Sequence, residues 1–285
     1  MTESLRPPTK DEAQHAARLM SEHWPQPVGE ERVVRAWASP RIDREEDVRI
    51  GPDAYAIVEG LDEGRVMLEL YGRPSQGLLD WAEARAREKG SRFFAGGWAS
   101  NAMLFRELER RDFHPVRHSH RMEIDLVDEP PAPRWPDEIR LRTFQPGDET
   151  VFYELQQETF EDSWEHVRVP FEEWAHRLLQ PSAFVPDLWF LALAGDEPAG
   201  FAICHPHPEV EGLGWVGLLG VRRPWRRLGL GRALLLHAFS EFRECGLARA
   251  GLGVDAESLT GANALYESAG MHVAGRYDIY EKQVA

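Results

Sequence analysis

The stretch "RRPWRRLGLGRALLLHAF", Arg222–Phe239, gathers Arg222, Arg223, Arg226, Arg227 and Arg232 around Gly229 and Gly231, just before an apolar run. The 285-residue chain around it carries a formal net charge of -15, so solubility does not require basic residues there. An apolar, strand-like run, Gly214–Val221, precedes the loop. Leu234, Leu235, Ala238, Phe239 and Phe242 follow it at helical spacing, with Gly246 as a stop. A loop that leaves a strand and opens a helix presents unpaired N–H groups at the positive end of the helix dipole. Glycine there lets the backbone approach a ligand closely. Together these predict an anion site, with phosphate as the foremost ligand.

The loop separates several phosphate-binding designs. A P-loop needs GxxxxGK followed by Ser or Thr, and "RRLGLGRA" has neither the spacing nor the hydroxyl. A dinucleotide fingerprint needs GxGxxG or GxGxxA directly after the strand. Here Leu234 holds the third position and "RRPWRRL" intervenes, although Asp255 lies near the place of a ribose-binding acid. A plain solvated turn would not require this many arginines beside two glycines.

Composition bounds the rest. With 42% hydrophobic and 28% charged residues the chain reads as an ordinary globular protein of one large or two ordinary domains. Its acidic balance argues against nucleic acid and anionic membranes as partners. The N-terminus "MTESLRPPTKDEA" has no apolar signal-like core and no run reaches membrane-spanning length, so the cytoplasm is expected. Cys204 and Cys245 have no metal-type spacing. They read as free, buried thiols in a reducing compartment, and no metal is expected.

Four prolines in "VDEPPAPRWPDE", Val127–Glu138, mark a linker. The expected division is residues 1–127, a linker at 128–138, and residues 139–285. Both parts begin with a short strand, a turn and a helix: "LRPPTKDEAQHAARLM" from Leu5 and "IRLRTFQPGDETVFYELQ" from Ile139. Both end with a helix terminus and alternating residues suited to a hairpin-like pair of strands, which sets His114 on His272 and Leu108 on Tyr266. This predicts two copies of one fold. Within the second, "DLWFLALAG" and "PAGFAICHP" read as antiparallel strands joined by a turn at Gly195–Pro198, and "AGLGVD" as a strand parallel to Gly214–Val221 across a helical crossover.

"RRLGLGRAL", Arg226–Leu234, resembles the Q/R-x-x-G-x-G/A signature of the GNAT family of acyl-CoA-dependent N-acetyltransferases. "GWVGLLGV" resembles that family's central strand, and "VDAESLTGANALYESAGM", Val254–Met271, its later block. The tandem arrangement is similar to the family's two-domain, mycothiol synthase-like branch. The resemblance implies an α/β fold of two tandem domains, each a mixed, mainly antiparallel sheet flanked by helices. It also implies acetyl transfer from acetyl-CoA to a primary amine of a small molecule, by direct attack through a tetrahedral intermediate. By the same resemblance the main chain of Arg226, Arg227, Gly229, Leu230, Gly231 and Arg232 would hold the pyrophosphate of coenzyme A, and Leu219, Gly220 and Val221 its pantetheine arm. Gly217 and Gly220 are equally readable as marks of a bulge. Tyr266 would be the general acid at the departing sulfur, or else simply a half-buried helix tyrosine.

Ser258, a further cofactor-binding candidate by the resemblance, stands where many relatives have an Asn that bonds the cofactor, and Met271 replaces the usual Phe. Glu161, Asp162 and Glu165 are candidate acceptor-pocket bases or cation-binding groups, with solvated surface carboxylates as the alternative. His205, at a strand end, is a further candidate. The first half lacks the loop: "LELYGRPSQGLLDWAEARAREKG", Leu68–Gly90, has no R-x-x-G-x-G, and Leu108 replaces the tyrosine. It is expected to keep the fold without the site. A non-catalytic acyl-CoA-binding or sensing protein is the competing reading.

Overall fold

The structure, a computed structural model, describes residues 5–179, 184–258 and 260–284. Residues 1–4 of the polar N-terminus and Leu259 of the Val254–Met271 block lie outside them. The chain forms two compact units. One runs to Ser119 and takes back the chain from Gly275 onward; the other is His120–Ala274.

In chain order the first unit contains α1 (Ala13–Ser21), α2 (Glu30–Trp37), α3 (Arg44–Asp47), β1 (Val48–Ile50), β2 (Ala54–Gly60), β3 (Arg65–Gly72), α4 (Gln76–Lys89), β4 (Arg92–Trp98) and α5 (Ala102–Glu109), and the chain leaves it along β5 (His114–Asp125). β1, β2 and β3 are antiparallel neighbours, and the α4 crossover returns β4 parallel to β3. Strand residues alternate between two apolar layers. Ala54, Ala56, Leu68 and Phe93 pack with Leu78, Leu79 and Ala82 of α4, whereas Tyr55, Ile57 and Tyr71 pack with Ala16, Leu19 and Met20 of α1.

Residues 126–138 hold neither helix nor strand. Beyond them come β6 (Ile139–Thr143), α6 (Glu149–Thr159), α7 (Phe171–Leu178), β7 (Trp189–Ala194), β8 (Glu197–Pro206), β9 (Leu213–Val221), α8 (Leu230–Glu244), β10 (Arg249–Asp255), α9 (Ala262–Ser268) and β11 (His272–Gln283). β6 to β9 are antiparallel neighbours, and α8 returns β10 parallel to β9, as the crossover predicts. Phe190, Ala202, Cys204 and Val216 face Leu234, Leu235, Phe239 and Phe242 of α8. On the other face Trp189, Leu191, Phe201 and Ile203 meet Phe152, Tyr153 and Trp174 of α6 and α7. The run β2–β3–α4–β4–α5 is thus repeated by β8–β9–α8–β10–α9, the tandem arrangement expected of a duplicated fold.

Four details differ from the sequence-based expectations. The anticipated strand near Leu5 is a single bridge, Arg6↔Ile50, because Pro7 and Pro8 supply no donors to extend it. The anticipated terminal hairpins are instead single 12-residue strands, β5 and β11, each passing from one unit to the other. β11, from the second half of the sequence, pairs antiparallel with β4 of the first, placing Tyr280 and Val284 in the core beneath α4. The compact units therefore exchange terminal segments relative to the divisions at 127 and 139. Finally, Cys204 is buried as expected, but Cys245 is exposed at the end of α8.

Candidate active site at the β9–α8 loop

β9 is paired with β10 only as far as Val216↔Leu252, but its pairing with β8 runs on to Val221↔Gly200. From Leu218 to Val221 the main chain of β9 therefore has a registered strand on one side alone among the described residues. The parting begins at a bulge. Ile203 faces Leu218 and Cys204 faces Val216, which leaves Gly217 as the extra residue, exposed at the surface. Of the two glycines read as bulge marks, Gly217 is the one. Gly220 serves packing instead, since a Cβ there would overlap Thr159 Oγ1 and the Phe201 ring, and its bareness lets α6 lie on the strand.

At the same end of the sheet the chain turns through Arg222–Gly229 into α8. Arg227 and Gly229 take left-handed backbone angles, φ 64° and 88°. A Cβ on Gly229 would meet nothing within 4 Å, whereas one on Gly231 would lie 3.1 Å from Leu265, 3.6 Å from Val221 and 3.9 Å from Leu219. That spot is where β9, the first turn of α8, and α9 converge. No side chain caps α8, so the N–H groups of Leu230, Gly231 and Arg232 point out of its first turn without an intrahelical acceptor. The corresponding segment of the first half, Arg73–Ser75, is shorter, and Ser75 Oγ accepts from Leu78 N at 3.3 Å, capping α4 internally.

Most of the loop arginines are engaged. Arg222 donates to Glu158 and Glu197 at 2.8 Å. Arg223 pairs with Glu161 at 2.7 Å and Asp162 at 2.9 Å. Arg226 Nε donates to the Val221 carbonyl at 3.0 Å, and its Nη atoms lie 3.4 Å from the Thr159 carbonyl and 3.5 Å from Asp162. Hydrogen bonding from Arg223 and, secondarily, Arg226 holds the Asp162 carboxyl below the usual carboxylate range. The carboxylates read as pocket bases, Glu161 and Asp162, are therefore the loop's counter-ions. Glu165 is half-buried, with φ 52°. Arg227 and Arg232 have no acidic partner among the described residues, leaving two uncommitted cations beside the uncapped helix end.

Tyr266 is 8% exposed in α9, and its hydroxyl has no hydrogen-bond partner among the described residues yet is not sealed from solvent. Burial pushes its pKa up to about 12, so the phenol stays protonated at all physiological pH values. Ser258 is engaged locally at the surface: its Oγ lies 2.8 Å from Thr260 Oγ1. Asn263, overlooked in the sequence, donates from Nδ2 to the carbonyls of Asp255 at 3.0 Å and Ala256 at 3.1 Å, tying α9 to the end of β10. Its place in the Val254–Met271 block was the available signal. His205 closes β8, its Nδ1 2.9 Å from the Pro206 carbonyl, which only accepts; Nδ1 therefore carries the proton. Among the described residues no group of three or more His, Cys, Asp or Glu side chains is arranged to hold a metal ion, and no helix is long and apolar enough to cross a membrane.

The profile of the acetyltransferase (GNAT) family matches residues 150–271, the segment that contains this site. A mycothiol acetyltransferase of Thermobispora bispora is 38% identical over 53% of this chain and 52% of its own length, and the chain spans about half the length of the first curated relatives it matches. The GCN5-related N-acetyltransferase from Sphaerobacter thermophilus is 31% identical, with a TM-score of 0.81 over 98% of this chain and 95% of its own. A tandem GNAT protein from the clavulanic acid biosynthesis pathway shares the fold at 14% identity, with a TM-score of 0.75 over 99% of this chain and 98% of its own. With the family profile matched over the segment that holds the loop, and a GCN5-related N-acetyltransferase matched at 31% identity along almost the entire chain, the chain belongs to the acetyltransferase (GNAT) family.

Proposed function

We propose that this protein transfers an acetyl group from acetyl-CoA to the primary amine of a small molecule, using one site, in the second unit. The observation that carries the proposal is the convergence of an uncapped helix N-terminus with the one-sided end of β9 around Gly231. In this reading the pyrophosphate lies on the N–H groups of the Arg226–Arg232 loop, with Arg227 and Arg232 adding attraction. The pantetheine arm runs along Leu219, Gly220 and Val221, borrowing the main-chain groups that β10 no longer pairs. A free N–H at this parting polarises the thioester carbonyl and stabilises the oxyanion of the tetrahedral intermediate.

Tyr266 directs its hydroxyl at the departing sulfur. With a pKa near 12 it is a weaker acid than an ordinary thiol of about 8.5. Its contribution is thus a hydrogen bond that strengthens as thiolate charge develops, with solvent completing the protonation. Relatives named mycothiol acetyltransferases support a mycothiol-related amine as the acceptor. The first unit, whose α4 is capped by Ser75, has the role of a scaffold.

Calorimetric titration with acetyl-CoA and with NAD tests the proposal. One acetyl-CoA site per chain, no NAD response and acetylation of an amine are expected. Acetyl-CoA binding without turnover of any amine would make this a binding protein, and NAD binding would refute the site assignment.

A further inference from the structure

We propose that His205 is the general base of this site, taking the proton of the attacking amine at Nε2 beside the bulge at Gly217; the assignment rests on the acetyl-transfer reading above. Along β8 side chains alternate, so His205 shares the face of Phe201 and Ile203, toward α6 and α7, while Ala202 and Cys204 face α8. The loop that would hold coenzyme A opens α8, on the opposite face. An acceptor approaching from the α6 side would thus reach the parted strands opposite the leaving sulfur, and His205 is on that side.

The imidazole is suited to accepting a proton. Because Nδ1 donates to the Pro206 carbonyl, the lone pair is on Nε2, which has no partner among the described residues and is not sealed from solvent. A Cβ built on Gly217 would lie 3.6 Å from that nitrogen and 3.4 Å from the Ile203 carbonyl, with no other group nearer, so the glycine leaves room for an amine. The facing residues of β9, Trp215 and Gly217, are uncharged. His207, two residues on, is the adjacent titratable group and sets its own ring against Trp215. Burial lowers the pKa of His205 below the ordinary imidazole value, the Pro206 bond opposing it, so the ring is neutral at neutral pH. The competing carboxylates Glu161 and Asp162 are held by Arg223 and Arg226.

The chemistry balances. The amine nitrogen bonds to the thioester carbon, its proton passes to Nε2, the C–S bond breaks with its electron pair on sulfur, and the thiolate is protonated with Tyr266 as hydrogen-bond donor. Solvent then removes the imidazolium proton.

The test uses the full-length chain with His205→Gln and, separately, Gly217→Val. His205→Gln is expected to bind acetyl-CoA with unchanged affinity by calorimetry, to turn over about 10²–10⁴-fold more slowly, and to lose the acid-side limb of the wild-type kcat/KM profile. Gly217→Val, which leaves the histidine intact, is expected to raise the acceptor KM at least tenfold without moving acetyl-CoA affinity. Turnover of His205→Gln within threefold of wild type, an unchanged acid limb, or an unchanged acceptor KM in Gly217→Val overturns the assignment. A wild-type protein that binds acetyl-CoA and acetylates no amine instead overturns the reading on which it rests.

Discussion

Arg226 is folded back onto Val221, its Nε donating to that residue's carbonyl at 3.0 Å across the mouth of the loop it begins. The signature arginine thus braces the loop through main-chain carbonyls at both ends of its guanidinium. Arg226→Ala should weaken acetyl-CoA binding about tenfold, the equivalent of roughly 1.4 kcal/mol for the lost bracing bonds. Arg227→Ala, which removes an uncommitted cation, should instead reduce the salt dependence of binding. Calorimetry at two ionic strengths separates the two effects.

Tyr266→Phe removes one unpartnered hydroxyl and leaves the ring packed, so the melting temperature and acetyl-CoA affinity should hold while kcat falls. Since burial raises the phenol to about 12, the wild-type pH profile should show no loss of activity from tyrosine ionisation below about pH 10. An alkaline limb present in wild type and absent from the variant would contradict this.

Two glycines of the same site should fail in different ways. Gly220→Ala drives a Cβ into Thr159 and Phe201 and should cost about 1–3 kcal/mol of stability by overpacking. Gly229→Ala has open space but a φ of 88°, so strain of about 1–2 kcal/mol should turn the loop N–H groups and weaken acetyl-CoA binding. Chemical denaturation and calorimetry on both variants give the comparison.

Asp47, at the end of α3, is buried and accepts from Arg85 Nε at 2.6 Å, Lys89 Nζ at 2.8 Å and the Asp43 N–H at 2.8 Å. Burial alone would raise its pKa, but Lys89, the Asp43 N–H and Arg85 together hold it low. A carboxylate depressed in the folded state stabilises above its unfolded pKa of about 3.9, and that contribution is lost as pH falls through the folded value. Asp47→Ala should destabilise by about 3 kcal/mol at pH 7, since Lys89 loses its carboxylate and Arg85 keeps only Glu88, and by much less at pH 2, as denaturant titrations at the two pH values would show.

The loop, β9, α8 and β10 were legible because glycine punctuation and apolar periodicity are local signals. The ion pairs joining Glu158, Glu161 and Asp162 to Arg222, Arg223 and Arg226 were not: neither patch records its partner, and the carboxylates read equally well as pocket groups. Gly217 and Gly220 looked alike for a similar reason, since only the register of β8 against β9 separates an inserted residue from a packing contact. Alternation in the stretch from Leu265 to Lys282 marked strand and suggested a hairpin-like pair, but alternation does not say which neighbour a strand will choose.

That choice sets an order of events during synthesis. The first half of the sequence leaves the ribosome long before the residues that finish its sheet exist, since Tyr280 and Val284 belong to its core. Until the codons for β11 are read, the edge of β4 has no strand from β11 to pair with and the layer under α4 lacks two of its side chains. The earlier of the two units is thus closed by residues made after the later one.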